Sequence, residues 1–222
     1  MHIPDGYLSP ITYIPSYAIA VPLFAYGFKK LKKTLNEKTL PFIASLTALS
    51  FLVMMINIPI PGGTSGHAIG AAAISILFNP WIGFISISLV LLIQALIFGD
   101  GGITAWAVNS LALGFVASFV GYYSYKALFK FNKNFALFVS GWISIVAASF
   151  IIAFFLGIQP IVAHTPDGKP LFFPFGLEIT IPALVGSHML YFGVAEGIYT
   201  LIVVKFIEKI KNFSFQGQAN EI

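Results

Sequence analysis

The stretch FALFVSGWISIVAASFIIAFFLG, residues 135–157, runs its whole length without one charged side chain. A helix needs about 20 mainly apolar residues, in a range of about 17 to 25, to cross the hydrocarbon core of a bilayer. This stretch meets that length by itself. Working outward, comparable segments lie at about 8–28, 40–58, 66–79, 81–98, 103–125 and 179–204, which makes seven. The third is short, ends at Asn79-Pro80 and opens with Gly66 and Gly70 followed by Ala71, Ala72 and Ala73. It reads as a helix buried among its neighbours rather than one facing lipid. Alternation with period two is absent, which argues against a β-barrel.

Composition agrees. The 222 residues are 58% hydrophobic and 9% charged, whereas charges make up about a quarter of a soluble domain. The reading is an all-α polytopic membrane protein, one transmembrane domain over 1–222 with about seven spanning helices. Cysteine is absent, which leaves histidine, carboxylates, backbone and the chain terminus as strong metal ligands. The basic residues are all lysine, 12 against 8 acids. Lys29, Lys30, Lys32, Lys33 and Lys38 follow the first segment, Lys126, Lys130 and Lys133 follow the fifth, and Lys205, Lys209 and Lys211 follow the last, so only Lys169 falls on the other side. The positive-inside tendency then puts the N-terminus outside and the C-terminus in the cytoplasm of a multi-pass cell-membrane protein. The net charge of +4 reports orientation and gives no reason to invoke nucleic acid. No basic run precedes the first apolar segment, so it does not read as a cleaved signal peptide and Met1 is expected to remain the terminus. Residues from about 212 to 222 read as a loose polar tail. No phosphate-binding loop of the G-x-x-x-x-G-K-[ST] type occurs, so transport driven by ATP would need an ATPase on another chain.

This topology puts Met1 to Gly6, the loop from Asn57 to His67, the turn Gly99-Asp100-Gly101-Gly102 and the loop from Ile158 to Glu178 together on the outer face. Position 2 is special for a histidine. The α-amine of Met1 and the amide nitrogen of His2 close a five-membered ring on a metal, and that amide with Nδ1 of His2 closes a six-membered one. Three nitrogens then share a plane, and a fourth completes a square that suits Ni(II) or Cu(II) better than tetrahedral Zn(II). Residues 1–7 form this chelating segment, with Pro4 fixed in φ and Gly6 free to turn the chain after it. The bland alternative is an exposed terminus that happens to carry a histidine. The candidate fourth donor is His67, delivered by Pro59, Pro61, Gly62, Gly63 and Gly66, a composition that denies the loop regular structure and brings His67 to the start of the small-residue helix. A solvated loop histidine is its bland alternative.

The residues Met1-His2-Ile3-Pro4-Asp5-Gly6, Gly66-His67, Gly101-Gly102-Ile103-Thr104 with Asn109, and Val194-Ala195-Glu196-Gly197 with Thr200 resemble the CbiM/NikM family. These are the nickel and cobalt substrate-binding subunits of energy-coupling factor transporters, and the resemblance covers essentially the whole chain. It implies that Ni(II), or alternatively Co(II), is transported cargo held by the Met1 amine, the His2 amide nitrogen and the imidazoles of His2 and His67. It implies no enzymatic activity and no catalytic cofactor. The implied partners are a transmembrane coupling subunit and two ATPase subunits, with room for a small accessory membrane subunit. Ala44 and Ala48, one turn apart on the second helix, correspond to the face on which the family docks the coupling subunit; without the resemblance they read as ordinary close packing. The Ile3-Pro4-Asp5 version is closer to nickel than to cobalt members.

Around these ligands, Asp5 and Asp100 are each candidates to accept a hydrogen bond from the distal nitrogen of a ligand histidine, to attract cations or to cap a helix. Asn109 and Ser110 are candidates for holding the loops shut. His188 reads as a core group or a support for a ligand. Glu196, the one acid well inside a span, is either part of a metal path or an anchor between helices, flanked by Gly193 and Gly197. The rival functions are a self-sufficient divalent-metal channel or secondary transporter and an intramembrane metalloenzyme. The first would show repeats or several midplane acids, and the second a His-Glu-x-x-His motif, which is absent.

Overall fold

A computed structural model describes residues 1–60 and 64–211, and its helices follow the apolar stretches. They are α1 (Pro10–Thr34), α2 (Leu40–Met54), α3 (Ala71–Leu77), α4 (Pro80–Phe98), α5 (Trp106–Leu128), α6 (Lys133–Val162) and α7 (Leu177–Ile210). Five of these, α1 and α4 to α7, are long and apolar enough to cross a membrane. The shortest of the five has 19 residues and at 1.5 Å per residue measures about 28 Å, close to the hydrocarbon thickness of about 30 Å. Helix starts follow local chemistry. The Asn79 side chain accepts from the amides of Trp81 and Ile82 with Pro80 in the first turn, and the Asn132 side chain accepts from Phe135 at the start of α6. The expected tail from about 212 to 222 lies outside the described residues.

The segment expected over 66–79 is corrected in extent. Its helix, α3, has seven residues and is about 10 Å long, enclosed by the others. Gly70, at φ 76°, ends the extended chain and opens the helix, so His67 lies four residues before α3 and not at its start. A second correction concerns the loop expected to lack regular structure. Ile58–Ile60 (β1) and Thr64–Gly66 (β2) pair antiparallel, with Ile58 opposite Gly66. Pro59, which has no N–H to give, is tolerated because a two-stranded ribbon has only edges.

The bundle's exterior is apolar and its interior carries small polar residues, the inverse of a water-soluble domain. Ile11, Leu52, Ile97, Leu190 and Phe206 are each half or more exposed, while Ser50, Ser75, Ser140, Ser144 and Thr200 are fully buried. Such a surface suits lipid, and the buried hydroxyls join helices. Ser144 Oγ donates to Ala117 O at 2.8 Å and Thr180 Oγ1 to Ala153 O at 2.9 Å, bonds worth about 0.6 kcal/mol each on average inside a membrane. Close approach needs glycine: a Cβ on Gly121 would lie 2.7 Å from the Ala72 methyl, and one on Gly141 would lie 2.6 Å from Glu196 O. Helix α1 lies at the edge of the bundle, tied on by Phe24, which stacks on Phe84 at 4.6 Å and on Trp106 at 4.8 Å.

Three helices change pitch within their length. Wider π-helical turns occur at Gln94–Phe98 in α4, Ser110–Val116 in α5 and His188–Phe192 in α7. Asn109 directly precedes the second, His188 opens the third, and Asp100 lies two residues past the first and donates its amide to Gln94 O. Such turns favour functional positions because the extra residue re-aims side chains.

Candidate metal centre

The first residues of a chain are poorly ordered unless something ties them down. Here they are tied thoroughly: Met1 and Ile3 are fully buried and His2 is 9% exposed. Asn109 treats Ile3 as a strand partner, its Oδ1 accepting from Ile3 N at 2.9 Å and its Nδ2 donating to Ile3 O at 3.0 Å. Gly102 N donates to the same carbonyl at 2.9 Å. Asp5 accepts from the amides of Ile103 and Thr104 at 3.0 and 2.8 Å and from the Thr104 hydroxyl. A Cβ on Gly102 would lie 2.4 Å from Asp5 N, so only glycine lets the segment seat there. Beyond the turn at Gly6, Phe173 N donates to Tyr7 O and Ser9 N to the Gln159 side chain. The N-terminal segment is thus a plug held between the loop before α5 and the loop before α7.

At its tip the nitrogens gather. The Met1 amine donates to Ser65 Oγ at 3.2 Å. The rings of His2 and His67 lie 4.6 Å apart between centroids. His67 Nδ1 is 3.1 Å from Ala68 O; a carbonyl only accepts, so the proton sits on Nδ1 and Nε2 carries a lone pair. That Nε2 is buried with no hydrogen-bond partner among the described residues, and so is Nε2 of His2, whose Nδ1 instead faces a carboxylate oxygen of Asp100. Leaving a buried polar atom unpaired costs about 1–3 kcal/mol, and two in one place point to a missing shared partner. A metal cation is a partner that takes several nitrogen lone pairs at once.

Electrostatics prepares those lone pairs. Burial lowers the Met1 amine from 8.0 to about 5, against an upward pull from Asp100. Burial also lowers the imidazoles of His2 and His67, with the neighbouring terminus adding to it. Burial alone would raise the Asp5 carboxyl, but its bonds from Thr104 and Ile103 outweigh that and lower it. Asp100 is lowered in the same way by its contact with His2. At neutral pH the amine and both imidazoles are uncharged and lie beside a carboxylate. Among the described residues no three His, Asp or Glu side chains cluster as a metal site, so any site here must include the terminus or the backbone.

The structure separates residues that sequence left equivalent. The Asp5 carboxylate caps the start of the 103–104 turn, and its hydrogen bonds go to Ile103 and Thr104 and to neither His2 nor His67. Asp100 lies 3.1 Å from His2 Nδ1, the ring nitrogen nearer the backbone and not the distal one expected. Asn109 clamps Ile3, while Ser110 Oγ is buried and unpartnered among the described residues. His188 is fully buried in α7, with Nδ1 2.7 Å from Leu184 O and the ring against Phe192. Glu196, also in α7 and fully buried, accepts from Ile69 N at 2.7 Å and Gly70 N at 2.9 Å, the two amides just beyond His67. On the near side of His67, a Cβ on Gly66 would lie 2.2 Å from the Phe192 ring. One helix therefore fixes both flanks of the His67 loop. Ala44 and Ala48 lie on the exposed face of α2. Ser65, Gln159 and Phe192 are the residues sequence reasoning missed; for Gln159 the signal was a lone amide at the end of an apolar run.

A family model described as cobalt uptake substrate-specific transmembrane region (CbiM) matches residues 2–213. A chain of Methanocaldococcus jannaschii is 41% identical over 224 residues, covering 100% of this chain and 98% of that one. The fused nickel transport protein NikMN of Rhodobacter capsulatus is 38% identical over 215 residues, 94% of this chain, and this chain spans 62% of its length. A crystal structure of a truncated transition metal transporter superposes with a TM-score of 0.91 at 43% identity, covering 95% of this chain and 99% of that one.

Proposed function

The chain belongs to the CbiM family of membrane transport proteins for cobalt and nickel, and from that membership we propose that it is the subunit that captures Ni(II) at the outer face of the cell membrane. The donors are the Met1 amine, the His2 amide nitrogen, the His2 imidazole and the His67 imidazole. The observation that carries this reading is the buried terminus, held beside two imidazoles whose outward nitrogens lack partners. Four nitrogens in a plane favour Ni(II) over Co(II) as cargo; Cu(II) accepts the same geometry and binds more tightly in general, so its exclusion falls to availability.

Capture alone does not move the ion. The chain works with a coupling subunit docked on the Ala44 and Ala48 face of α2 and with two ATPases, the N-terminus lying outside and the lysine-rich ends of α1, α5 and α7 inside. Release requires the plug to leave the loops that hold it. The test is Ni(II) titration of purified His67→Ala in detergent. Three donors remain, so binding should weaken and the absorption spectrum of the bound metal should change. An unchanged spectrum rejects His67 as the fourth ligand.

A further inference from the structure

The tip of the plug opens onto a cavity of about 210 Å³ lined by His2, Pro4, Tyr7, Ser65, Asp100 and Phe173, among others. At about 30 Å³ per water molecule, it has room for a divalent ion that keeps most of its hydration shell. The His2 side chain is 1% exposed, whereas that of Asp100 is 27% exposed. An ion entering from solvent therefore meets the carboxylate before it meets any nitrogen.

The chain builds this placement of Asp100. Its own amide donates to Gln94 O across the π-helical turn that ends α4, and Gly102 N is held by Ile3 O. Gly99 and Gly101 take φ of 65° and 87° on either side of it, values that side chains resist. A Cβ on Gly101 would lie 3.2 Å from the His2 Cβ. The turn presses one acid against one imidazole while the acid's side chain stays partly exposed and lines the cavity.

Resting on the proposed nitrogen chelate, the geometry points to Asp100 as the entry ligand, a carboxylate that takes a hydrated divalent cation from the outer vestibule and passes it to His2. Its Oδ1 faces Nδ1 of His2 at 3.1 Å, and chelation through Nδ1 needs that contact to open. A cation arriving at the carboxylate supplies the exchange: it takes the charge that Asp100 offered to the Nδ1–H, the ring proton passes to the unpartnered Nε2, and the Nδ1 lone pair so freed binds the ion. Asp100 thus acts on the rate of capture, while the four nitrogens set the affinity. A negative charge focused in a cleft raises cation association by about 10- to 1,000-fold, and salt screens the effect.

The experiment is stopped-flow mixing of Ni(II) with purified protein of native N-terminus, comparing the parent with Asp100→Asn and Asp100→Glu at low and high ionic strength. Asp100→Asn should associate at least about tenfold more slowly at low salt, lose most of the parent's salt dependence, and dissociate within about twofold of the parent. Asp100→Glu should recover most of the rate. An unchanged association rate in Asp100→Asn overturns the proposal, and so does a change confined to dissociation, which would make Asp100 part of the bound-state geometry. An Asp100→Glu protein as slow as Asp100→Asn also overturns it, because charge would then not be what matters. Failure here is separable from failure of the chelate: loss of His67 would still weaken equilibrium binding in the first case and leave it unchanged in the second.

Discussion

Asn109→Ala isolates the clamp on the plug from the chemistry of the ligands. Ile3 N has Asn109 Oδ1 as its partner at 2.9 Å, whereas Ile3 O keeps Gly102 N at 2.9 Å after Asn109 Nδ2 is gone. The loss is therefore one orphaned buried donor and one of two bonds to a carbonyl. The donor dominates, at about 1–3 kcal/mol, and we take about 2 kcal/mol for the docking equilibrium. Since 1.4 kcal/mol is about tenfold, docking weakens roughly 30-fold. Binding needs the docked plug, so the apparent Kd rises as the docked fraction falls, and roughly 30-fold is its ceiling. The assay is competition for Ni(II) against a chromophoric chelator, paired with mass-spectrometric labelling of the Met1 amine. Weaker binding together with a more reactive amine is the expected pair of results. A Kd within twofold of the parent and an amine as protected as before would refute the reasoning that Asn109 holds the plug.

Two further predictions concern the same segment. Because burial lowers the Met1 amine from 8.0 to about 5, the docked terminus disfavours its charged form. The docked structure is fully stable above about pH 8 and loses stability as pH falls from there through about 5, since only the released terminus gains its proton over that window. A thermal-stability series across that range should fall in that direction, and a flat series would contradict the burial argument. Gly102→Ala places a methyl 2.4 Å from Asp5 N, so Ni(II) binding should drop at least tenfold while circular dichroism keeps the helical signal. Unimpaired binding would show that the plug can seat elsewhere.

Much of the architecture is legible without coordinates because a bilayer imposes simple rules. A run such as 135–157 has no other stable use, and the lysine split divides the loops into two sets, one of which converges on the plug through Ser65, Gly102 and Phe173. The proposed chelate comes from the sequence for a different reason: position 2 fixes the size of its rings by covalent geometry alone. What remained hidden depends on which atoms meet across the fold. Asp5 and Asp100 are both acids in loops on the lysine-poor side, yet one meets the amides of Ile103 and Thr104 and the other meets an imidazole. Spacing carries no trace of that difference. Gly70 reads as part of a small-residue helix, but the Glu196 carboxylate holds its amide and that of Ile69 outside the helix. The ribbon of 58–60 and 64–66 was hidden because Pro59 and the glycines argue against a strand, while a two-stranded ribbon, all edge, asks little of them.

The central claim is that the α-amine of Met1 is a ligand, and one added residue tests it. Ni(II) affinity should be measured on the protein with its native terminus and with a single alanine placed ahead of Met1. Extension turns the primary amine into an amide, rebuilds the chelate rings around other atoms and puts an extra residue into a fully buried tip. The account predicts near-total loss of binding in the extended protein; equal affinity in the two would contradict it.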